Sequence, residues 1–184
     1  MKGSLSEMPD ERQRTQYAEA MDRLPALGFE HYELSNFAKP GHRCRHNENY
    51  WARGDYWGIG PGAASLIDGV RRTNHRSTTT WLKRIEAGES GVMDEEPQTP
   101  ESVGEELIML GLRRAEGLSE TEFERSVGTS LRDFSPGAVE ACISEGWLQR
   151  DGDRIALTRE GRFLADTVIG RFFEAAGERT SSIG

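Results

Sequence analysis

The chain is poor in cysteine and has no long apolar run. It holds two cysteines in 184 residues, Cys44 and Cys142, far apart in sequence. In a chain without a secretory signal such a pair reads as two reduced thiols, not as a disulfide framework. Two thiolates are also too few for an iron–sulfur cluster, which takes about four, or three with an outside ligand. The opening segment MKGSLSEMPDERQRTQ has no apolar stretch, so neither a signal peptide nor a membrane helix is expected, and a cytoplasmic location is. Basic charge is also short: 23 Lys and Arg face 31 Asp and Glu, a formal net charge of −8. That balance argues against general binding to nucleic acid or an anionic membrane. Hydrophobic content of 35% still allows one medium domain or two small ones.

What is present divides in two. Asp10 to Leu27 has helical spacing at Tyr17, Ala20, Met21 and Leu24, with Asp10 as the expected cap. FEHYELSNFA, residues 29–38, alternates like one strand with Phe29, Tyr32 and Leu34 inward, so helix and strand suggest the edge of an α/β sheet or barrel. Residues 39–55 have no period and read as a loop, and 56–65 are glycine-rich. SLIDGVRRT predicts a hairpin turning at Asp68-Gly69. A short threonine-capped helix is expected from Thr78 to Ala87, stopped at Gly88. The prolines and acidic run near residues 91–101 read as a linker between a first unit (1–90) and a second (102–176), with 177–184 as a disordered tail.

The second unit predicts a helix from Ser102 to Arg114 with a Ser102/Glu105 capping box. Further helices are expected after Ser119 and after Pro136. A hairpin over 147–158 should turn Leu148, Ile155 and Leu157 one way, and a closing helix capped by Thr158 should follow. Helices, hairpin and closing helix make a mostly α, winged-helix-like module. Such modules often bind DNA through a basic helix. Here residues 101–176 carry nine arginines, no lysine and fifteen acids, and 136–145 has no basic residue, so a packing or docking module is the better expectation.

The first unit holds all four histidines and a basic island. From Lys39 to Arg76 seven Lys and Arg stand against three acids. It reads either as an anion site for carboxylates and phosphates or as a solvated loop whose charges pair elsewhere. His46, with Asn47, Tyr50 and Trp51 beside it, combines an imidazole with flat aromatic walls, as a haem site needs; a hydrogen-bonded surface histidine is the alternative. His42, Cys44 and His46 alternate over five residues, which fits tetrahedral zinc poorly. Gly58, Gly60, Gly62 and Ala63 formally fit G-x-G-x-x-A, but a hairpin follows where the dinucleotide motif needs a helix. Such glycines could let the backbone approach a flat ligand with free amides, or simply make a tight turn.

HYELSNFAKPG, RHNENYW and GDYWGIGPGAAS, in that order, with LGLRRAEGL and LTREGRFLADTV later, resemble the coproporphyrinogen-oxidase-like radical S-adenosylmethionine proteins, in particular their haem-chaperone branch. The resemblance covers nearly the whole chain. It implies the C-terminal end of a partial TIM-type radical barrel followed by the winged-helix-like domain. It also implies haem binding at His46, Asn47, Tyr50 and Trp51, with His46 on the iron. Asn36, Phe37 and Ala38 of the SNFA stretch, with Gly58, Gly60, Gly62 and Ala63, would lie toward S-adenosylmethionine. Expected partners are haem or another tetrapyrrole, the remaining barrel portion and a haem-accepting protein. Family members carry a C-x-x-x-C-x-x-C motif for a four-iron four-sulfur cluster, and this sequence has none. The chain alone is therefore expected to be a fragment inactive in radical chemistry. Oxygen-independent coproporphyrinogen III oxidation in a full-length protein is the alternative function, and a DNA-binding regulator the third.

Overall fold

The structure, a computed structural model, describes residues 9–182, with side chains described for 9–177. The first helix, α1 (Asp10–Ala26), starts at the expected cap itself: Pro9 holds the N-cap position, and Asp10 instead places its charge in the first turn, where the helix dipole favours it. Residues 29–38 are not one strand. They fold back as β1 (Glu30–Glu33) and β2 (Asn36–Ala38), an antiparallel pair turning at Leu34 and Ser35. The cause is Glu33, whose carboxylate accepts from the Ser35 amide (3.0 Å) and the Asn36 side chain (2.6 Å) and so closes the turn. The strand pairings among the described residues are antiparallel, unlike the βα repeat that the sequence suggested.

RHNENYW, expected as loop, is the helix α2 (Arg45–Trp51). The Asp68-Gly69 hairpin forms as expected: β3 (Ala64–Ile67) and β4 (Val70–Asn74) are joined by two residues with φ of 52° and 70°. The short helix α3 (Thr78–Glu86) is capped by Ser77, not by a threonine. The expected linker contains a strand, β5 (Val92–Pro97), which adds to β4 with Arg71 opposite Glu96 and Arg72 opposite Glu95. Opposite charges across that pair explain why an acidic run extends a sheet here.

The second unit begins at α4 (Pro100–Arg113). Its capping box is Thr99 with Ser102, three residues earlier than expected, and Pro100 suits the first turn. Then come β6 (Leu118–Ser119), α5 (Glu120–Val127) capped by Ser119, the unexpected short α6 (Leu131–Phe134), and α7 (Ala138–Ser144). β7 (Leu148–Asp151) and β8 (Arg154–Leu157) form the expected hairpin, and β6 joins it in the order β6-β8-β7. Leu148, Ile155 and Leu157 are buried together as expected. Thr158 caps only the short α8 (Arg159–Phe163); after Leu164 the chain restarts as α9 (Ala165–Ser182). The expected tail therefore continues a helix through Ser182, and 183–184 lie outside the described residues.

The continuous core lies in this second unit. Ile108, Leu112, Phe123, Leu131, Phe134, Val139, Ile155, Val168 and Phe172 meet there, whereas the first unit buries few side chains, Met21, Tyr32 and Leu66 among them. Polar joints, beside apolar contacts such as Tyr17 on Phe163, tie the residues before α4 to those that follow. Leu34 N donates to Arg113 O, Ala115 N donates to Tyr32 O, and the buried Glu33, 1% exposed, pairs with Arg113.

Candidate functional site

Adjacent residues on a helix point about 100° apart, and this separates Tyr50 from Trp51 on α2. Trp51 turns toward Tyr32 (ring centroids 5.7 Å) and a hollow lined by Leu107, Gly111, Arg114 and Phe123 of the second unit. It anchors the helix. Tyr50 points the other way. It meets the His46 ring edge-on at 4.7 Å, at the i, i+4 spacing of one helical face, and lies 4.3 Å from Tyr56. His46 is exposed, and its imidazole makes no hydrogen bond or ion pair among the described residues. Burial pushes the Tyr56 hydroxyl above its ordinary pKa, so it stays a neutral phenol. Asn49 donates to the carbonyl of Asp55 (3.0 Å), tying α2 to the glycine-rich segment.

That segment then presents two apolar side chains to solvent: Trp57 is 79% exposed and Ile59 89%. Neither is among the expected site residues, although an Ile between two glycines with a Trp directly before them was the available signal. The glycines themselves are structural. A Cβ on Gly58 would stand 2.1 Å from the Ala64 carbonyl oxygen, its amide donates to Ser65 (2.8 Å), and the Gly62 amide donates to the His75 carbonyl (3.0 Å). Asn74 ties the run together by donating to the carbonyls of Gly58 and Gly60. Neither the Gly58 nor the Gly62 amide is free for a ligand, contrary to expectation. Ala63 donates weakly back to Gly60 (3.4 Å).

The SNFA residues are also committed within their hairpin. Asn36 bonds Glu33, Ala38 is buried, and Phe37 stacks on His31 at 4.1 Å. Phe37 lines an open cleft of about 890 Å³ with Tyr17, Leu34, Arg113, Arg162 and Phe163, on the side of the second unit's α8 and α9. His31 joins the units there: Arg162 donates to its Nδ1 (2.6 Å), so Nε2 carries the proton given to Leu34 O (3.1 Å). Burial holds this imidazole below its ordinary pKa.

The basic island is mostly neutralised. Arg43 pairs with Glu30, Glu48 and Glu116, Arg53 and Arg71 with Glu106, and Arg72 with Glu95. Lys39 donates to Leu27 O and sits over the Phe29 ring. Arg45 and Arg76 make no ion pair among the described residues. No three His, Cys, Asp or Glu side chains gather as for a metal ion among them either. Cys44 is the N-cap of α2, and Cys142 is a buried core thiol whose pKa burial raises.

Residues 98–164 match the HemN C-terminal domain. The fold is similar to that of Escherichia coli coproporphyrinogen III oxidase (HemN), described as a radical SAM enzyme: the TM-score is 0.65 at 15% identity, covering 84% of this chain and 39% of that one. The sequence is closer to haem chaperones. It is 32% identical to the haem chaperone HemW of Bacillus subtilis over 171 residues, and 37% identical to that of Synechocystis over 169. These alignments cover 93% and 91% of this chain but 45% and 41% of the relatives, so the chain spans less than half of their length. The chain is HemW-like, and the match corresponds to a C-terminal portion of such proteins. No helix among the described residues is long and apolar enough to cross a membrane.

Proposed function

We propose that this chain carries the haem-contacting surface of a HemW-like haem-trafficking protein, with His46 as the residue that would ligate the iron. The observation that carries the reading is the exposed, unbonded imidazole at the end of the row His46–Tyr50–Tyr56, with the exposed Trp57 and Ile59 following Tyr56 in the chain. An accessible imidazole at the end of a row of aromatic rings is a donor set that suits haem. Arg45 precedes the ligand directly, and it and Arg76 are the arginines of the basic island that make no ion pair among the described residues, so both could meet propionates through charge-assisted hydrogen bonds. Asn47 shares α2 with the ligand, whereas Trp51 orients the helix instead of walling the haem. Bound haem would supply the iron and the flat macrocycle; this chain's part is to hold and orient it for a haem-accepting protein. An exposed site suits transfer better than storage.

The finer architecture follows the same reading. Residues 102–176 are read as winged-helix-like, supported by the order helix, strand, helices, hairpin and by the β6-β8-β7 sheet. Residues 9–90 are read as the end of a radical barrel whose remaining portion is a partner. S-adenosylmethionine and the four-iron four-sulfur cluster belong to longer family members; with no C-x-x-x-C-x-x-C motif in this sequence, coproporphyrinogen oxidation is not favoured for this chain. DNA binding is disfavoured by α7, which has one acid and no base. Titration with haemin, followed by absorbance, tests the central assignment. Wild type should show a Soret shift, and His46→Ala should weaken binding by about tenfold or more, the scale on which metal affinity responds to losing supporting interactions. An unchanged titration in the variant refutes His46 as ligand.

A further inference from the structure

The geometry points to Glu106, in the HemN-type domain, as the residue that positions the haem-binding face from the neighbouring unit. This rests on the reading of His46 as ligand. Glu106 lies on α4 and its side chain is 15% exposed. Each carboxylate oxygen serves a different segment of the first unit. Oε2 accepts from Arg53 Nε at 2.7 Å, and Oε1 accepts from Arg71 Nη2.

Arg53 follows α2 by two residues and is held at φ +55°, a conformation that non-glycine side chains rarely adopt. Its second contact, Nη2 to Gln98 Oε1 at 3.3 Å, points to the same joint. The Glu106 pair therefore holds the chain reversal by which α2 leaves for the glycine-rich segment. The other arm runs through β4. Arg71 lies opposite Leu66 on β3, and Leu66 exchanges both backbone hydrogen bonds with Tyr56 (2.9 and 3.0 Å). Tyr56 then meets Tyr50, and Tyr50 meets His46. Both arms thus converge on Tyr50, one through the end of its helix and one through the ring that packs on it.

A glutamine at 106 keeps the shape but offers one acceptor oxygen, without charge, to two guanidinium groups. It must release one arm. Glu106 touches no part of the proposed ligand site, so its role is positional. The loss of a positioning partner near a metal-ligating histidine costs about 10- to 100-fold in affinity, and an indirect one belongs at the lower end.

The test is haemin titration of the 184-residue chain, with Glu106→Gln, Arg53→Gly and His46→Ala beside wild type and thermal melts of each. Glu106→Gln should keep a cooperative melt, bind haemin about tenfold more weakly, and show a broadened or displaced Soret band at saturation. The spectral change is what a simple loss of stability would not produce. Unchanged affinity and spectrum in Glu106→Gln, with His46→Ala impaired, overturn the positioning role and leave the ligand reading standing. If Glu106→Gln does not fold, Arg53→Gly decides: glycine relieves the positive φ while removing one arm, so weaker binding with an altered band supports the role and wild-type binding overturns it. If His46→Ala binds as wild type, the ligand reading fails and this inference falls with it.

Discussion

Replacing Arg113 by methionine should show how the two units are fastened. Glu33 is 1% exposed, and its carboxylate accepts from the Ser35 amide, the Asn36 amide group and Arg113 Nε at 3.2 Å. Arg113 supplies the only one of these donors that carries charge. Breaking a buried pair by removing one partner costs about 3–5 kcal/mol, because a buried charge is left behind. Two neutral donors remain here, and Arg113 is itself a third exposed, which lowers the expectation to about 2–3 kcal/mol. For a chain of this size that is roughly 5–10 °C in melting temperature. Adding Glu33→Gln to Arg113→Met removes the orphaned charge while keeping the side chain's shape. The double variant should therefore be more stable than Arg113→Met alone, by about 1 kcal/mol or more in urea midpoints followed by circular dichroism. A double variant as unstable as the sum of the two single changes would show that the carboxylate is not held by Arg113, and would refute the argument.

Two further outcomes follow from the same geometry. Burial holds the His31 imidazole below its ordinary pKa, so the unfolded chain takes up the proton first as pH falls. Stability from this group is fully present above about pH 6.5 and is lost as pH drops through the depressed folded value. Glu33, Arg113, Arg162 and Tyr17 face the ring or its surroundings, and His31→Gln should flatten the slope of urea midpoint against pH between about 7.5 and 5.5. An unaltered slope would count against His31 as its source. Gly58→Ala would put a methyl 2.1 Å from the Ala64 carbonyl oxygen, so the loop or β3 must move. A loss of about 1–3 kcal/mol with a shifted tryptophan emission is expected, and wild-type melting would show that the segment repacks freely.

Much of this arrangement was legible in local sequence. Asp68-Gly69 predicted its hairpin because a two-residue turn needs positive φ at both positions, which Asp and Gly tolerate. Ser119 and Thr158 predicted helix starts because a hydroxyl can satisfy the first free amides. Leu148, Ile155 and Leu157 predicted a buried face by their alternation. The errors lie where partners are distant. Residues 29–38 alternate like one strand, yet Glu33 turns them back, and nothing local announces that Arg113 will make a buried carboxylate tolerable. The acidic segment 91–101 reads as linker until Arg71 and Arg72 stand across from it. RHNENYW has no apolar period of its own, and α2 is secured instead by Trp51 packing and by Arg53.

The sequence by itself determined the chain's HemW-like character, and it supplied the two-part division and His46 as proposals, because all three rest on residue types in a fixed order. Tertiary structure decided which of those residues face one another. It turned Trp51 toward Tyr32 and Tyr50 toward His46 and Tyr56, spent the glycine amides on the chain's own carbonyls and hydroxyls, and left Trp57 and Ile59 exposed. It also gathered most of the basic island onto carboxylates up to 73 residues away, through long-range pairs such as Arg43–Glu116 and Arg53–Glu106. Charge and polarity are properties of a sequence, but whether a donor is free depends on which acceptor the fold brings to it.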